Sequence, residues 1–177
     1  MTNTLPRLPG PFGLALRPLP LPPLGLLLTG LTRRLCARRP VLLRRLGAHA
    51  DRRFLIDATD LPMLLLLHPA AARMTAHRRS CPPQHDARIA GTLSALLAML
   101  HGAQDGDALF FSRDLAVEGD TAAVLALRNA IDDAELDLTE EIAALAGPLA
   151  APLRLAVAGA ERLTGLALRR AGVEGWQ

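Results

Sequence analysis

Several residue types are scarce in this chain of 177 residues, and each scarcity argues against a class of protein. Tyrosine and lysine are absent, and aromatic residues make up only 3% of the chain. Proteins that bind single-stranded nucleic acid stack its bases on aromatic side chains, so we expect no nucleic-acid partner. The two cysteines, Cys36 and Cys81, are too few for a disulfide framework.

Long apolar runs are also missing. The uncharged stretch Pro18–Thr32 has 15 residues and four prolines, whereas a membrane-spanning helix needs roughly 20 apolar residues. The N-terminal region does not show the charged start, apolar core and small-residue cleavage site of a secretory signal in order. We therefore expect a reduced, cytoplasmic protein.

Charge is divided sharply along the chain. The net charge is +3, but residues 1–53 carry +9, residues 54–153 carry −8 and the last 24 residues carry +2. Six arginines lie within 13 residues beside a leucine stripe, which is typical of an interfacial helix. They are Arg33, Arg34, Arg38, Arg39, Arg44 and Arg45. We expect them to contact an anionic surface peripherally at the inner membrane. In the alternative interpretation, the stripe packs on the domain as its first helix and the arginines face water.

Proline marks two boundaries near the N-terminus. Residues 1–23 hold seven prolines, a density that prevents a helix and predicts an extended N-terminal segment. The segment Leu24–Leu46 is predicted as two helical pieces, because Pro40 breaks the helix near Arg39. The apolar stripe of these pieces consists of Leu24, Leu27, Leu28, Leu31, Leu35, Leu42 and Leu46.

The middle of the chain predicts a sheet. Arg53–Ala58, Met63–His68 and Arg73–Arg78 have the composition of three strands in an antiparallel meander. A fourth strand, Ala87–Gly91, precedes Thr92, which caps a helix with leucines at i, i+3, i+4 and i+7.

One more strand and helix are predicted within residues 109–137. An apolar start leads into the alternating segment Leu115–Val117, and Gly119 stops the strand. Asp120 or Thr121 then accepts a hydrogen bond as the N-cap of an amphipathic helix.

The order of these elements predicts an α+β domain over residues 24–137. It contains a single mixed, largely antiparallel sheet of about five strands with helices on one side. Residues 138–177, which are rich in alanine and leucine, are predicted as a helical C-terminal extension.

The segment from Phe110 to Asp120 carries a recognisable pattern. It fits FFS–x–x–L–x–x–EGD and resembles the sterol carrier protein-2 (SCP-2) lipid-binding family. The resemblance covers roughly residues 52–137 and includes Asp86–Ile89 with the helix that follows. It departs from many members after Ser112 and after the EGD triplet. It implies an apolar cavity between sheet and helices that binds lipid, with no catalytic step.

The residues that depart from the broader family match a narrower family. Arg113 and Thr121 fit the pattern L–F–F–x–R–x–L–x–V–E–G–D–T, and Asn129 and Asp133–Leu136 follow, as in the UbiT family of proteobacterial accessory factors. This resemblance implies a role in oxygen-independent ubiquinone biosynthesis. The ligands would be isoprenoid quinone precursors, presented alongside iron–sulfur hydroxylase-type proteins. Shielding a prenyl chain from water is worth roughly 25 cal/mol per Å² of apolar surface.

The cavity would be lined by apolar residues of the predicted strands and helices. We expect these to be Phe54, Ile56, Met74, Ile89, Leu96, Met99, Leu100, Phe110, Val117, Leu127 and Ile131. The inward face of Met63–Leu67 stays open, because a continuous apolar run does not reveal it.

Metal chemistry is weakly supported. His77, Cys81 and His85 lie four residues apart, but zinc requires three or four ligands and no second Cys/His pair is near. We therefore expect neither a metal nor a cofactor.

Catalytic chemistry is supported no better. Ser112 lacks the surroundings of a hydrolase nucleophile. Asp57 with Asp60, or Asp105 with Asp107, would need a shared pocket as an acid–base pair, whereas Asp60 and the later pair suit turns. We expect no enzyme activity.

An acidic cluster follows the last predicted strand. We expect a solvated helix end, with a surface for a basic partner or for the chain's own arginines as the alternative. Its members are Asp132, Asp133, Glu135, Asp137, Glu140 and Glu141.

Two other functional classes stay open beside a carrier of quinone precursors. One is a general lipid or fatty-acyl carrier, and the other is a membrane-surface scaffold without lipid specificity. An enzyme assembled from scattered Asp and His residues is a weaker third.

Overall fold

The fold is built on one five-stranded sheet. The computed structural model describes residues 21–101 and 115–134, without the side chains of residues 100 and 101. The strands are β1 (Phe54–Ala58), β2 (Met63–His68), β3 (Arg73–Arg78), β4 (Ala87–Gly91) and β5 (Leu115–Gly119). Their spatial order is β3-β2-β1-β4-β5. The β1–β4 pair is parallel and the other three are antiparallel, so the predicted α+β class and mixed sheet are confirmed.

Four helices are described, two before β1, one between β4 and β5 and one after β5. They are α1 (Leu21–Arg38), α2 (Val41–Leu46), α3 (Leu93–His101) and α4 (Thr121–Ala134), with a short 3₁₀ turn at Gly47–His49. The predicted division of the first helical segment is confirmed, since α1 and α2 meet at Arg39–Pro40. Proline has no amide hydrogen to continue the helical hydrogen bonds.

Two details of α1 differ from the expectation. The helix begins at Leu21 and contains Pro22 and Pro23, so these residues are helical, whereas the rest of the predicted N-terminal extension lies outside the described residues. Proline is tolerated in the first turn because its missing N–H would have no partner there. Leu27 is 72% exposed and does not belong to the buried stripe.

The core lies between one face of the sheet and the helices. Strand residues alternate between faces, so Phe54 and Ile89 share the face that carries the main cluster, and both are fully buried. Leu42 and Leu46 of α2 join this cluster. Small residues of α4 allow α2 to pack closely along it: Ala123, Ala130 and Ala134.

The outer edge of β3 is covered by α1. The hydroxyl of Thr29 donates to the carbonyl of Met74 at 2.6 Å and accepts from its amide at 3.3 Å. Gly25, one turn earlier, lies near the backbone nitrogen of Ala76. The helix therefore satisfies backbone groups that an open edge strand would present to other chains.

Side-chain caps begin the two later helices. Asp120 accepts from the amide of Ala123 at 2.9 Å, and Thr92 accepts from the amide of Ala95 at 3.2 Å. Both predicted caps are confirmed. Asp60 adds a long-range cap, because its Oδ1 accepts from the amide of Leu93 at 2.9 Å.

The EGD triplet has a structural role at the end of β5. Gly119 has φ +81°, and a Cβ there would collide with the carbonyl oxygen of Asp86. That carbonyl accepts from the amide of Asp120 at 3.0 Å. The Asp86 side chain accepts from the amide of Arg53 at 2.7 Å, and this hydrogen bond lowers the pKa of Asp86. Asp86 therefore joins the start of β1 to the end of β5.

None of the helices in the described ranges has the length and apolar character required to cross a membrane.

Candidate functional site

Eight of the eleven residues expected to line a cavity meet in the main apolar cluster. Four are buried: Phe54, Ile89, Leu96 and Leu127. Four are partly buried and pack against them: Ile56, Met99, Val117 and Ile131. The sheet contributes one wall of this cluster, and helices α2, α3 and α4 contribute the other. The structure thus gathers these residues, while their contact with a ligand stays a prediction.

The other three expected residues are not among the described members of this cluster. Met74 is half-buried on β3, and its backbone is held by Thr29 of α1. Leu100 ends up in α3, but its side chain lies outside the described residues, as does Phe110 altogether. The sequence did not reveal which face of Met63–Leu67 points inward. In the structure, Leu67 lies on the side of the cluster and is partly buried against it.

A groove of about 480 Å³ lies between α1 and β3. Its apolar lining includes Leu21, Leu26 and Ala76. Arg33 and Arg73 contribute two cationic side chains to the same lining. This volume falls within the roughly 300–1,000 Å³ of small-molecule sites. Periodicity could not reveal the groove, because it depends on how α1 sits on the sheet edge.

The six arginines proposed for membrane contact separate into groups. Arg39 donates from Nη1 to the carbonyl of Ala134 in α4 at 2.7 Å. Arg45 pairs with Asp133 at 2.6 Å. The acidic cluster thus receives one of the chain's own arginines, the alternative considered for it. Arg34 is half-buried, and four members are exposed: Arg33, Arg38, Arg44 and the paired Arg45.

Asp57 is a buried carboxylate that the sequence pattern did not reveal. Its side chain is only 4% exposed and lies on the sheet face opposite Phe54. Oδ2 lies 2.6 Å from Nη2 of Arg88, and Oδ1 lies 2.7 Å from Nη2 of Arg79. Burial raises the pKa of Asp57, but the hydrogen bonds and charges of Arg88 and Arg79 outweigh it, so the pKa is lowered.

The same ion network ties several strands together. Arg88 also binds Glu118 of β5 through Nη1 at 2.9 Å. Arg79 donates from Nε to the carbonyl of Leu61 at 2.7 Å, which holds the β1–β2 turn. Since every carboxylate here has an arginine partner, the network fits a structural role better than proton transfer.

The metal hypothesis has no geometric support within the described ranges, where no group of three potential ligands occurs. His77 lies 2.8 Å from the hydroxyl of Thr75 through Nε2, and His85 lies 2.9 Å from the carbonyl of Pro83 through Nδ1. Cys81 is exposed and free. Three catalytic candidates lie outside the described residues: Asp105, Asp107 and Ser112.

Comparison with known families gives one match. Residues 32–132, more than half of the chain, match the model described as the SCP-2 sterol transfer family. No curated protein matches the chain.

One solved structure shows the same fold. A protein titled UbiJ-SCP2 ubiquinone synthesis protein is 21% identical, with a TM-score of 0.54, over 66% of this chain and 96% of its own. Sterol carrier protein 2 from Yarrowia lipolytica in its apo form is 11% identical, with a TM-score of 0.43, over 60% and 88%. The first likeness shows the fold alone, and the second is too weak to support any argument.

Proposed function

The chain belongs to the SCP-2 sterol transfer family, and we propose that it is a non-catalytic lipid carrier. The observation that supports this most directly is the apolar cluster shared by the sheet and by helices α3 and α4. Ile56, Met99, Val117 and Ile131 are only partly buried against this cluster, and we expect an apolar ligand to contact them first. When a prenyl or acyl chain packs against such side chains, the bound state is stabilised by roughly 25 cal/mol for each Å² of apolar surface removed from water.

The proposed cargo is an isoprenoid quinone precursor, handled in oxygen-independent ubiquinone biosynthesis. The sequence pattern around Gly119 and Asp120, shared with the UbiT family, supports this assignment. The solved ubiquinone synthesis protein has the same fold. Iron–sulfur hydroxylase-type proteins are the proposed partners, since the carrier would present the ring while they modify it.

A second proposal is peripheral contact with the inner membrane from the cytoplasmic side. It is supported by exposed arginines on consecutive helices, including Arg33 of α1 and Arg44 of α2. Each such residue near an anionic leaflet contributes on the order of 1 kcal/mol.

Lipid analysis tests the carrier proposal directly. The purified protein is examined by native mass spectrometry, and its bound lipid is extracted and identified. We expect a bound prenylated quinone precursor. A mixture of fatty-acyl lipids would instead support a general carrier, and lipid-free protein from cells that make the precursor would support a scaffold.

A further inference from the structure

Helix α4 is held differently at its two ends. At its start, the amide of Asp120 donates to the carbonyl of Asp86 at 3.0 Å, next to β4. The Asp120 side chain accepts from the amide of Ala123 at 2.9 Å and pairs with Arg52 at 3.3 Å. Backbone and side-chain hydrogen bonds together therefore fix the first turn of α4 to the sheet.

The other end of α4 is held by two arginines. Arg39, between α1 and α2, donates from Nη1 to the carbonyl of Ala134 at 2.7 Å. Arg45 of α2 pairs with Asp133 at 2.6 Å, and the two side chains are 61% and 42% exposed. An exposed ion pair contributes little to stability, because water and salt screen it. These two contacts, which we call the latch, are therefore easier to break than those at Asp120.

The packing under this end of α4 is also weak. Its buried side chains are Ala130 and Ala134, and an alanine removes little apolar area from water. Leu127, one turn earlier, buries a much larger side chain. Ile131 is only partly buried against the apolar cluster. Separating the last turn of α4 from α2 therefore costs less free energy than lifting the rest of the helix.

Partly buried apolar side chains lie beside the latch. Leu35 and Val41 flank Arg39 in the chain, and each packs against the apolar cluster without being fully buried. Ile131 packs against the cluster in the same way from α4, and the fully buried Leu42 follows Val41. A lipid chain that passes between α2 and the last turn of α4 would therefore meet apolar side chains on its way to the cluster.

We propose that the seam between α2 and the last turn of α4 is the entrance to the interior lipid site, and that Arg39 and Arg45 hold it closed. The inference rests on the proposed carrier function, since an entrance needs an interior cargo. Opening pivots on the fixed first turn of α4 and breaks the contacts at Ala134 and Asp133. Two arginines of the basic segment thereby control how fast cargo enters and leaves.

Exchange of a fluorescent lipid tests the latch. The probe is cis-parinaric acid, and stopped-flow fluorescence on the full chain measures its binding and release rates. Arg39→Gln with Arg45→Gln should raise both rates roughly tenfold, while their ratio, the dissociation constant, stays nearly constant. Salt should raise the rates of the parent and not of the double variant, because it screens the pair with Asp133. Arg78→Gln is the control, since it removes an exposed arginine charge on β3.

A reversible crosslink locks the seam by a second route. Arg45→Cys with Asp133→Cys, in a chain whose two native cysteines are replaced by serine, is bridged by a bismaleimide that contains a disulfide. Both rates should fall in the crosslinked chain and recover on reduction, a recovery that a misfolded variant would not show. Leu125→Cys with Asn129→Cys, an exposed pair one turn apart on α4, is bridged in the same way as the control and should leave the rates unchanged.

Four results would overturn the proposal: unchanged rates in the double variant, an equal rise in Arg78→Gln, a dissociation constant that changes as much as the rates, or no slowing in the crosslinked chain. Failure of the carrier proposal looks different. A parent that binds neither the probe nor co-purified lipid refutes the carrier and the entrance together. Probe binding at rates that ignore the latch and the crosslink refutes the entrance alone.

Discussion

Asp57 of β1 and Arg88 of β4 form a close ion pair across parallel strands, 2.6 Å between Oδ2 and Nη2. The carboxylate is almost completely buried, whereas Arg88 is 31% exposed and also holds Glu118. Arg79 supplies a second cation from the turn that follows β3. The buried charge of Asp57 therefore depends on one arginine from β4 and one from the turn after β3.

Asp57→Asn is predicted to lower the free energy of unfolding by about 3 kcal/mol at pH 7, since it removes one partner of a buried pair. The loss lies at the lower end of the usual range because Arg88 keeps Glu118. Urea denaturation measures it. The control is Asp133→Asn, which breaks an exposed pair with Arg45 and should cost less than about 1 kcal/mol. Equal losses in the two variants would contradict the prediction.

The same pair predicts a pH dependence. The folded-state pKa of Asp57 lies below its ordinary value of 3.8. The stabilisation is therefore complete above that value and is lost as pH falls through the lowered folded-state pKa. The stability difference between the parent and Asp57→Asn should accordingly shrink below about pH 4. A difference that stays constant down to pH 2 would show that the carboxylate charge contributes little.

Gly119→Ala is predicted to destabilise the fold by at least about 1 kcal/mol. Gly119 has a left-handed backbone conformation, and its Cβ would collide with the carbonyl of Asp86. Gly30→Ala is the matched control, because it adds a methyl group in open space on a helix and should stabilise by up to about 1 kcal/mol. Thermal unfolding of both variants checks the opposite signs, and a stabilised Gly119→Ala would refute this account of the EGD triplet.

Alternation and proline placement were sufficient to predict most of the sheet and helices. Predicted β2, β3 and β4 have the bounds of the structure because each is flanked by turn residues. The start of α1 could not be predicted in this way, since a density of prolines does not reveal that Pro22 and Pro23 lie in a first turn. Leu27 was assigned to the wrong face because α1 packs on a strand edge, which narrows its buried stripe.

The residues of the candidate site could be predicted where the alternation of a strand determines which face of the sheet a residue occupies. Phe54, Ile56 and Ile89 lie on one side of adjacent strands and meet the helices as expected. Asp57 was missed because its arginine partners lie 22 and 31 residues away and become neighbours only through strand pairing. The groove was missed for the same reason, since Arg33 and Arg73 come together through tertiary packing.

Ile131→Gln is predicted to reduce the lipid that co-purifies with the protein. Ile131 is half-buried against the apolar cluster, so a polar group there weakens ligand contact and is tolerated by the fold. Leu125→Gln on the same helix is the control, because Leu125 is 55% exposed and should not affect lipid content. Leu127→Glu should abolish both lipid binding and stability, since it buries a charge. Unchanged lipid in folded Ile131→Gln and Leu127→Glu would place the ligand elsewhere.

Deletion of the gene is predicted to lower ubiquinone in cells grown without oxygen and to spare cells grown with it. The reason is the proposed role in presenting prenylated precursors on the oxygen-independent route. Quinone extraction and chromatography under both regimes measure the effect, and complementation with the parent gene is the control. Equal loss under both regimes would refute the oxygen-independent assignment while leaving lipid binding intact.

Arg33→Gln with Arg44→Gln is predicted to weaken binding to anionic vesicles and to flatten its salt dependence, because both side chains are exposed. Arg39→Gln with Arg45→Gln removes the same charge from residues held by Ala134 and Asp133 of α4, so it should mainly lower stability. Sedimentation with phosphatidylglycerol vesicles at two salt concentrations, beside thermal unfolding, separates the two effects. If both pairs weaken binding equally, net charge alone is responsible, and if neither does, the basic segment is purely structural. A loss confined to the first pair would assign membrane contact to the arginines that the fold leaves facing water.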